Sequence, residues 1–122
     1  MDIIEYREFC LSLPLTEETT PFDEDTLVFK ICGKMYAYAS IGNFTWVGLK
    51  CDPGMAVELR ERYPEVGAAS HMSKVHWISL DMTGGLTDDF IRERIRDSYM
   101  LVIAGLPRKL KEEALAAQKF TE

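Results

Sequence analysis

Two histidines and three cysteines are the only nitrogen and sulfur metal-ligating side chains of these types in 122 residues, and their placement argues against a zinc site. His71 and His76 are five apart. That is neither the four-residue spacing of a helical ligand pair nor an even separation that shares one face of a strand. Cys10, Cys32 and Cys51 are odd in number, far apart and set among apolar neighbours. They imply no disulfide framework and no ligand pair, and read as reduced, mostly buried thiols of a cytoplasmic protein. A phosphate loop is missing as well, because Gly84-Gly85 lacks the G-x-x-x-x-G-K pattern and reads as a turn. The first residues hold no basic segment leading into an apolar run, so no secretory signal is expected. The longest apolar run near the C-terminus, Met100 to Ala104, is far short of the roughly 20 residues of a membrane helix.

No repeat, low-complexity tract or Gly/Ser linker divides the chain, so a single domain over residues 1–122 is expected. Apolar residues make up 47% and charged residues 28%, which suits a chain that buries one core without a disulfide or metal staple. The net charge of −6 works against a nucleic-acid partner, but it is unevenly spread. Residues 1–29 hold eight acids and one base. Residues 30–80 hold six bases and four acids, and residues 81–122 hold seven bases and eight acids. The middle third is therefore locally basic, and with screening over about 8 Å in physiological salt, local charge outweighs the total.

The coarse pattern gives α+β. Asp2 caps a first helix with Ile3, Tyr6, Phe9, Cys10 and Leu13 at helical spacing, and Pro14 stops it. The acidic stretch from Thr16 to Asp25 reads as a loop. Thr26–Cys32, Met35–Ile41 and Thr45–Lys50 read as three strands of a meander, with Gly33-Lys34 as a type II′ turn. Asp52-Pro53 starts a second helix that runs to Pro64. Val75–Leu80 reads as a further strand. Thr87 caps a long helix striped by Ile91, Ile95, Tyr99 and Val102, and an amphipathic tail helix is expected over residues 108–118. The order helix-βββ-helix-β(β)-helix lacks βαβ alternation, so an antiparallel sheet packed by helices is expected.

Four segments carry a resemblance. They are Phe22-Asp-Glu-Asp-Thr-Leu-Val-Phe-Lys30, Leu49-Lys-Cys-Asp-Pro53 with Leu59-Arg60 through Tyr63-Pro64, His71-Met-Ser-Lys-Val-His-Trp77, and Ser98-Tyr99 with Leu106-Pro107. Read in this order, over nearly the whole chain, they resemble the MmcQ/YjbR family. The resemblance implies a CyaY-like (frataxin-like) α+β fold and no established enzymatic activity. It also implies double-stranded DNA as the partner of a double-wing motif, which is itself a predicted role. Members often carry a second lysine where this chain has Val75, so one phosphate contact is missing.

The residues that fit such a role are Lys30, Lys34, Lys50, Arg60, His71, Lys74 and His76. Lys34 belongs to the first hairpin tip, and His71 and Lys74 to the turn before the fourth strand. His76 and Trp77 alternate on that strand, so Trp77 is expected in the core and His76 on the other side. The plainer reading makes these bases a solvated sheet face. Cys51, just before a helix N-terminus, is formally placed for thiolate chemistry, but it reads better as a small buried hydrophobe. Glu17, Glu18, Asp23, Glu24 and Asp25 are hard-oxygen donors for a weak cation site, or a solvated run. No catalytic residue, cofactor or metal is expected, and a monomer is favoured. The alternative is a protein- or small-ligand-binding module on a frataxin-like or secretion-chaperone-like fold. It would use Phe29, Tyr36, Tyr38, Phe44 and Trp46 on an open sheet face.

Overall fold

The computed structural model describes residues 1–20 and 25–118, which form four helices and one six-stranded sheet. In chain order these are α1 (Ile3–Ser12), β1 (Thr16–Thr19), β2 (Thr26–Ile31), β3 (Lys34–Ser40) and β4 (Trp46–Lys50). Then follow α2 (Pro53–Arg62), β5 (Val66–Gly67), β6 (Trp77–Asp81), α3 (Asp88–Ala104) and α4 (Arg108–Gln118). The spatial order is β1-β2-β3-β4-β6-β5, and every neighbouring pair is antiparallel.

The helix starts follow from their caps. The Asp2 side chain accepts the Glu5 N–H at 2.8 Å while Glu5 reaches back to the Asp2 N–H, a reciprocal capping box. Asp52 accepts from Met55 N–H, with Pro53 as the first helical residue. Thr87 accepts from Phe90 N–H, and Asp88 and Asp89 occupy the first turn of α3. All four residues of the expected apolar stripe on α3 are buried, and α3 packs across β3 and β4.

Three expectations are corrected by the strand pairing. The acidic stretch is not wholly a loop, because Thr16–Thr19 pairs with β2 as an edge strand, Glu17 opposite Lys30 and Glu18 opposite Phe29. The β2–β3 turn is Cys32-Gly33, not Gly33-Lys34. Both residues have positive φ (50° and 79°), as a type I′ turn requires, so Lys34 is the first residue of β3 rather than the tip. The strand after residue 75 begins at Trp77, and His76 belongs to the turn before it. Residues 21–24, part of the stretch read as a loop, lie outside the described residues.

A bulge decides what the two sheet faces hold. The β2–β3 register slips between Phe29 and Lys30, so that Phe29 faces Ala37 while Lys30 faces Met35. Tyr36 is the extra residue, and the slip breaks the two-residue alternation. Tyr36 and Tyr38 therefore end on opposite faces. Tyr36 joins the helix-covered core, edge to face with Tyr99 at 5.3 Å, and its hydroxyl donates to the Cys10 carbonyl. Tyr38 joins a separate cluster with Val28, Ala69 and Trp77 on the face that no described helix covers. Trp77 is buried as expected, but on this open face.

Candidate functional site

Antiparallel pairing sorts every strand terminus to one of two ends. Lys50 pairs with Trp77 and Ile31 with Lys34, whereas Trp46 pairs with Asp81 and Thr26 with Ser40. Lys34, Lys50, His76 and Lys74 therefore gather at one end, together with the C-terminus of α3. The other end receives the β6–α3 connection and the N-termini of α1 and α3.

At the first end, Lys34 and Lys50 line one depression of about 390 Å³ with Met35, Trp77, Val102 and Gly105. The backbone of Lys50 is fixed from below, because its N–H donates to the Ser98 hydroxyl at 2.8 Å and that hydroxyl donates to the Tyr36 carbonyl. Ser98 is fully buried and bolts α3 to two strands at once. Lys74 lies in a turn closed by Trp77 N–H donating to the Ser73 carbonyl at 3.0 Å. The Arg60 guanidinium donates to the Lys74 carbonyl at 3.0 Å, so Arg60 braces the turn from α2. The His76 side chain is exposed and its carbonyl accepts Cys51 N–H at 2.7 Å, which ties the turn to the end of β4. None of Lys34, Lys50 and Lys74 is ion-paired to a described carboxylate.

The remaining candidates stand elsewhere. Lys30 is half-buried on the open face between Glu17 and Met35. His71 is exposed, has a left-handed backbone (φ 63°), and lies at the lip of a cavity in the open face. Arg60 is spent on the backbone of the Lys74 turn. Sequence reasoning named Ser98 only within a resemblance segment and gave it no role, although a polar residue at i+3 from Ile95 within an apolar stripe was the signal.

The opposite end collects acids already occupied by the fold. Asp2 and Glu5 form the capping box. Asp88 accepts the N-terminal ammonium at 3.0 Å, and Asp89 pairs with Arg92 at 3.0 Å. Asp81 accepts the N–H and hydroxyl of Thr83, which hold its carboxyl below the ordinary range. Glu65 accepts Gly85 N–H at 2.9 Å. Of the eight acids of residues 1–29, Asp2 and Glu5 are thus placed away from the lysines, whereas Glu17 faces Lys30.

Other chemistry finds little support. Burial pushes the Cys51 thiol up, and the nearby Arg94 opposes this only in part, so its position before α2 does not make a thiolate. Cys10, Cys32 and Cys51 are all free. Glu17 and Glu18 are consecutive strand residues and point to opposite faces, Glu18 towards Arg7, with which it pairs. They do not converge as a cation site. Asp23 and Glu24 lie outside the described residues. Among the described residues, no three His, Cys, Asp or Glu side chains gather as metal ligands. No described helix is long and apolar enough to cross a membrane.

Comparison with known proteins adds the following. A family model described as YjbR matches residues 11–101. Escherichia coli O157:H7 YbdF, described as uncharacterized, is 33% identical over 104 residues, covering 84% of this chain and 85% of that one. YjbR of Escherichia coli K12, with the same description, is 26% identical over 113 residues, covering 92% and 96%. Among solved structures, Deinococcus radiodurans DR2400, a DUF419 domain, superposes with a TM-score of 0.84 at 34% identity, covering 92% of this chain and 86% of that one. A Pseudomonas syringae protein superposes with a TM-score of 0.70 at 26% identity, covering 83% and 98%.

Proposed function

The chain belongs to the YjbR family, and from that premise we propose that it is a monomeric, cytoplasmic DNA-binding module without catalytic activity. It grips phosphates of a duplex with the lysine end of its sheet. The observation that carries this reading is the meeting of lysines at one end of the sheet, where Lys50 also borders Asp52 and Asp97 in a neighbouring cavity. Lys34 and Lys50 share one depression, Lys74 follows in the adjacent turn, and the acids of the opposite end are engaged in caps and ion pairs. Phosphate contacts of this kind position a protein on DNA without reading its sequence.

The two wings of this reading are the Cys32-Gly33 turn and the 68–76 segment, which both reach the lysine end. Lys34 flanks the first and Lys74 belongs to the second. Between them Lys50 stands on a strand held by Ser98, so the cationic pair is set on rigid elements rather than free loops. His76 adds an exposed imidazole beside them. Lys30 is set back from the pair and faces Glu17, so it contributes least.

Fluorescence anisotropy of a labelled duplex at about 50 and 200 mM salt tests the proposal. Three phosphates neutralised by Lys34, Lys50 and Lys74 give a log–log salt slope of about −3. Lys34→Glu with Lys74→Glu should abolish binding at the higher salt. Absence of binding at the lower salt, or a slope near zero, rules the reading out.

A further inference from the structure

Three depressions share lining residues along the sheet face that no described helix covers, and the one at the lysine end reaches around to Val102 and Gly105 at the end of α3. A cavity of about 560 Å³ occupies the middle, walled by Met35, Tyr38, Trp46, Ser70, His71 and Met72. Through Met35 it adjoins the depression of Lys34 and Lys50. Through Trp46 and Ser70 it adjoins a polar depression of about 550 Å³ that contains Glu65 and Asp81. The trough is therefore cationic at one mouth, aromatic and apolar in the middle, and anionic at the other mouth.

The middle cavity is held open by its own packing. The Tyr38 ring lies directly over Gly48, where any Cβ would collide with it, so this position on β4 accepts only glycine while the ring stays in place. Trp46 and Trp77 each meet Tyr38 edge to face, at 5.5 and 5.9 Å between centroids. The Tyr38 hydroxyl donates to the Ser70 carbonyl at 3.2 Å, which fixes the 68–76 segment as one wall. Burial pushes the Tyr38 phenol up to about 12, so it remains a donor at physiological pH. Thioether and aromatic walls around a space larger than a nucleobase suit a flat apolar ring, with Thr26, Ser70 and His71 as the polar groups at hand.

We propose that this cavity receives an unpaired base of a nucleic-acid strand whose phosphates rest on Lys34 and Lys50. The inference rests on the phosphate-binding reading above and names the part of the ligand that reading leaves open. Charge selects the occupant. A ligand that enters past two lysines and ends among aromatic rings joins an anionic backbone to a planar apolar group, which is the chemistry of a nucleotide. Glu65 and Asp81 close the far mouth to further phosphates, so the trough holds a strand end or a single displaced base rather than a strand running through.

Both tryptophans of the chain line this face, so tryptophan fluorescence reports on the trough alone. The test compares three probes: a blunt duplex, the same duplex with a short thymidine overhang, and that duplex with abasic residues in the overhang. The overhang should bind about tenfold tighter than the blunt duplex and quench the fluorescence, and the abasic overhang should lose both effects. Because the abasic probe alters only the ligand, this result does not depend on any variant folding. Trp46→Ala should lose the tenfold gain while keeping blunt-duplex affinity, and Lys34→Glu with Lys50→Glu should weaken all three probes. Equal binding of the intact and abasic overhangs overturns the inference and leaves the phosphate reading standing. Failure of all three probes to bind overturns both. Quenching by an acidic, phenylalanine-containing peptide with none by the overhang duplex assigns the cavity to a protein partner and overturns the inference.

Discussion

The two ends of the sheet use charge in different ways. At one end Asp2, Asp81, Asp88 and Asp89 cap a helix, tie a turn or pair with a cation, so each acid has a local structural partner. At the other end Lys34, Lys50 and Lys74 are set at strand ends and turns without a described acidic partner. Charge that stabilises a fold is spent within it, whereas charge left unpaired by a rigid scaffold is available to a ligand. A net charge of −6 hides this contrast completely.

Charge reversal tests the contrast most strongly. Lys34→Glu with Lys50→Glu should weaken duplex binding by about 100-fold at low salt, whereas Asp89→Lys at the far end should change it by less than about threefold. Anisotropy titrations of both variants measure this. If the Asp89 variant gains affinity as strongly as the lysine variant loses it, net charge is the cause and the two ends are equivalent.

The scaffold beneath the lysines gives the next effect. Ser98→Ala leaves the Lys50 N–H and the Tyr36 carbonyl without their partner, and the loss of stability should be about 2 kcal/mol. Urea unfolding reads it, and a loss under about 0.5 kcal/mol would mean that Ser98 does not hold Lys50 in place. A smaller effect is expected for Arg60→Ala, which removes the brace on the Lys74 carbonyl. Hydrogen exchange should quicken across residues 73–76, with a stability loss of about 1 kcal/mol or less.

A pH dependence also differs between the ends. Burial pushes the Cys10 thiol, packed beneath Tyr36, from its ordinary 9.0 up to about 12. A raised folded pKa means that the unfolded chain gives up its proton first. Stability is therefore complete below pH 9 and declines from there towards pH 12. Asp81 at the acid end is lowered, so its contribution is present above its ordinary value and fades in acid. Thermal unfolding between pH 8 and 11 should show a shallower alkaline decline in Cys10→Val than in the parent protein.

Local signals in the sequence went far towards the fold. Asp2, Asp52-Pro53 and Thr87 mark helix starts because a cap needs only neighbours three residues away. The tail helix lies where expected, Arg108–Gln118. What escaped depends on distant partners. β1 is a polar Thr-Glu-Glu-Thr segment that becomes a strand only because β2 offers it an edge. The bulge at Tyr36 is a matter of register between two strands, and it puts Tyr36 and Tyr38, expected together on one face, on opposite faces. The site divides in the same way. Lysines are visible as residues, but the meeting of Lys34 with Lys50 is a product of β3–β4 pairing, and the aromatic trough is a product of the bulge and the 68–76 segment together.

The most direct test of the central claim is to map backbone amide NMR shifts while a short duplex is titrated in at low salt. The account predicts changes concentrated at Cys32–Lys34, Lys50–Cys51 and Lys74–Trp77, with Asp81 and the first turns of α1 and α3 unmoved. Changes centred on those acidic positions, or none at a saturating duplex concentration, would contradict it.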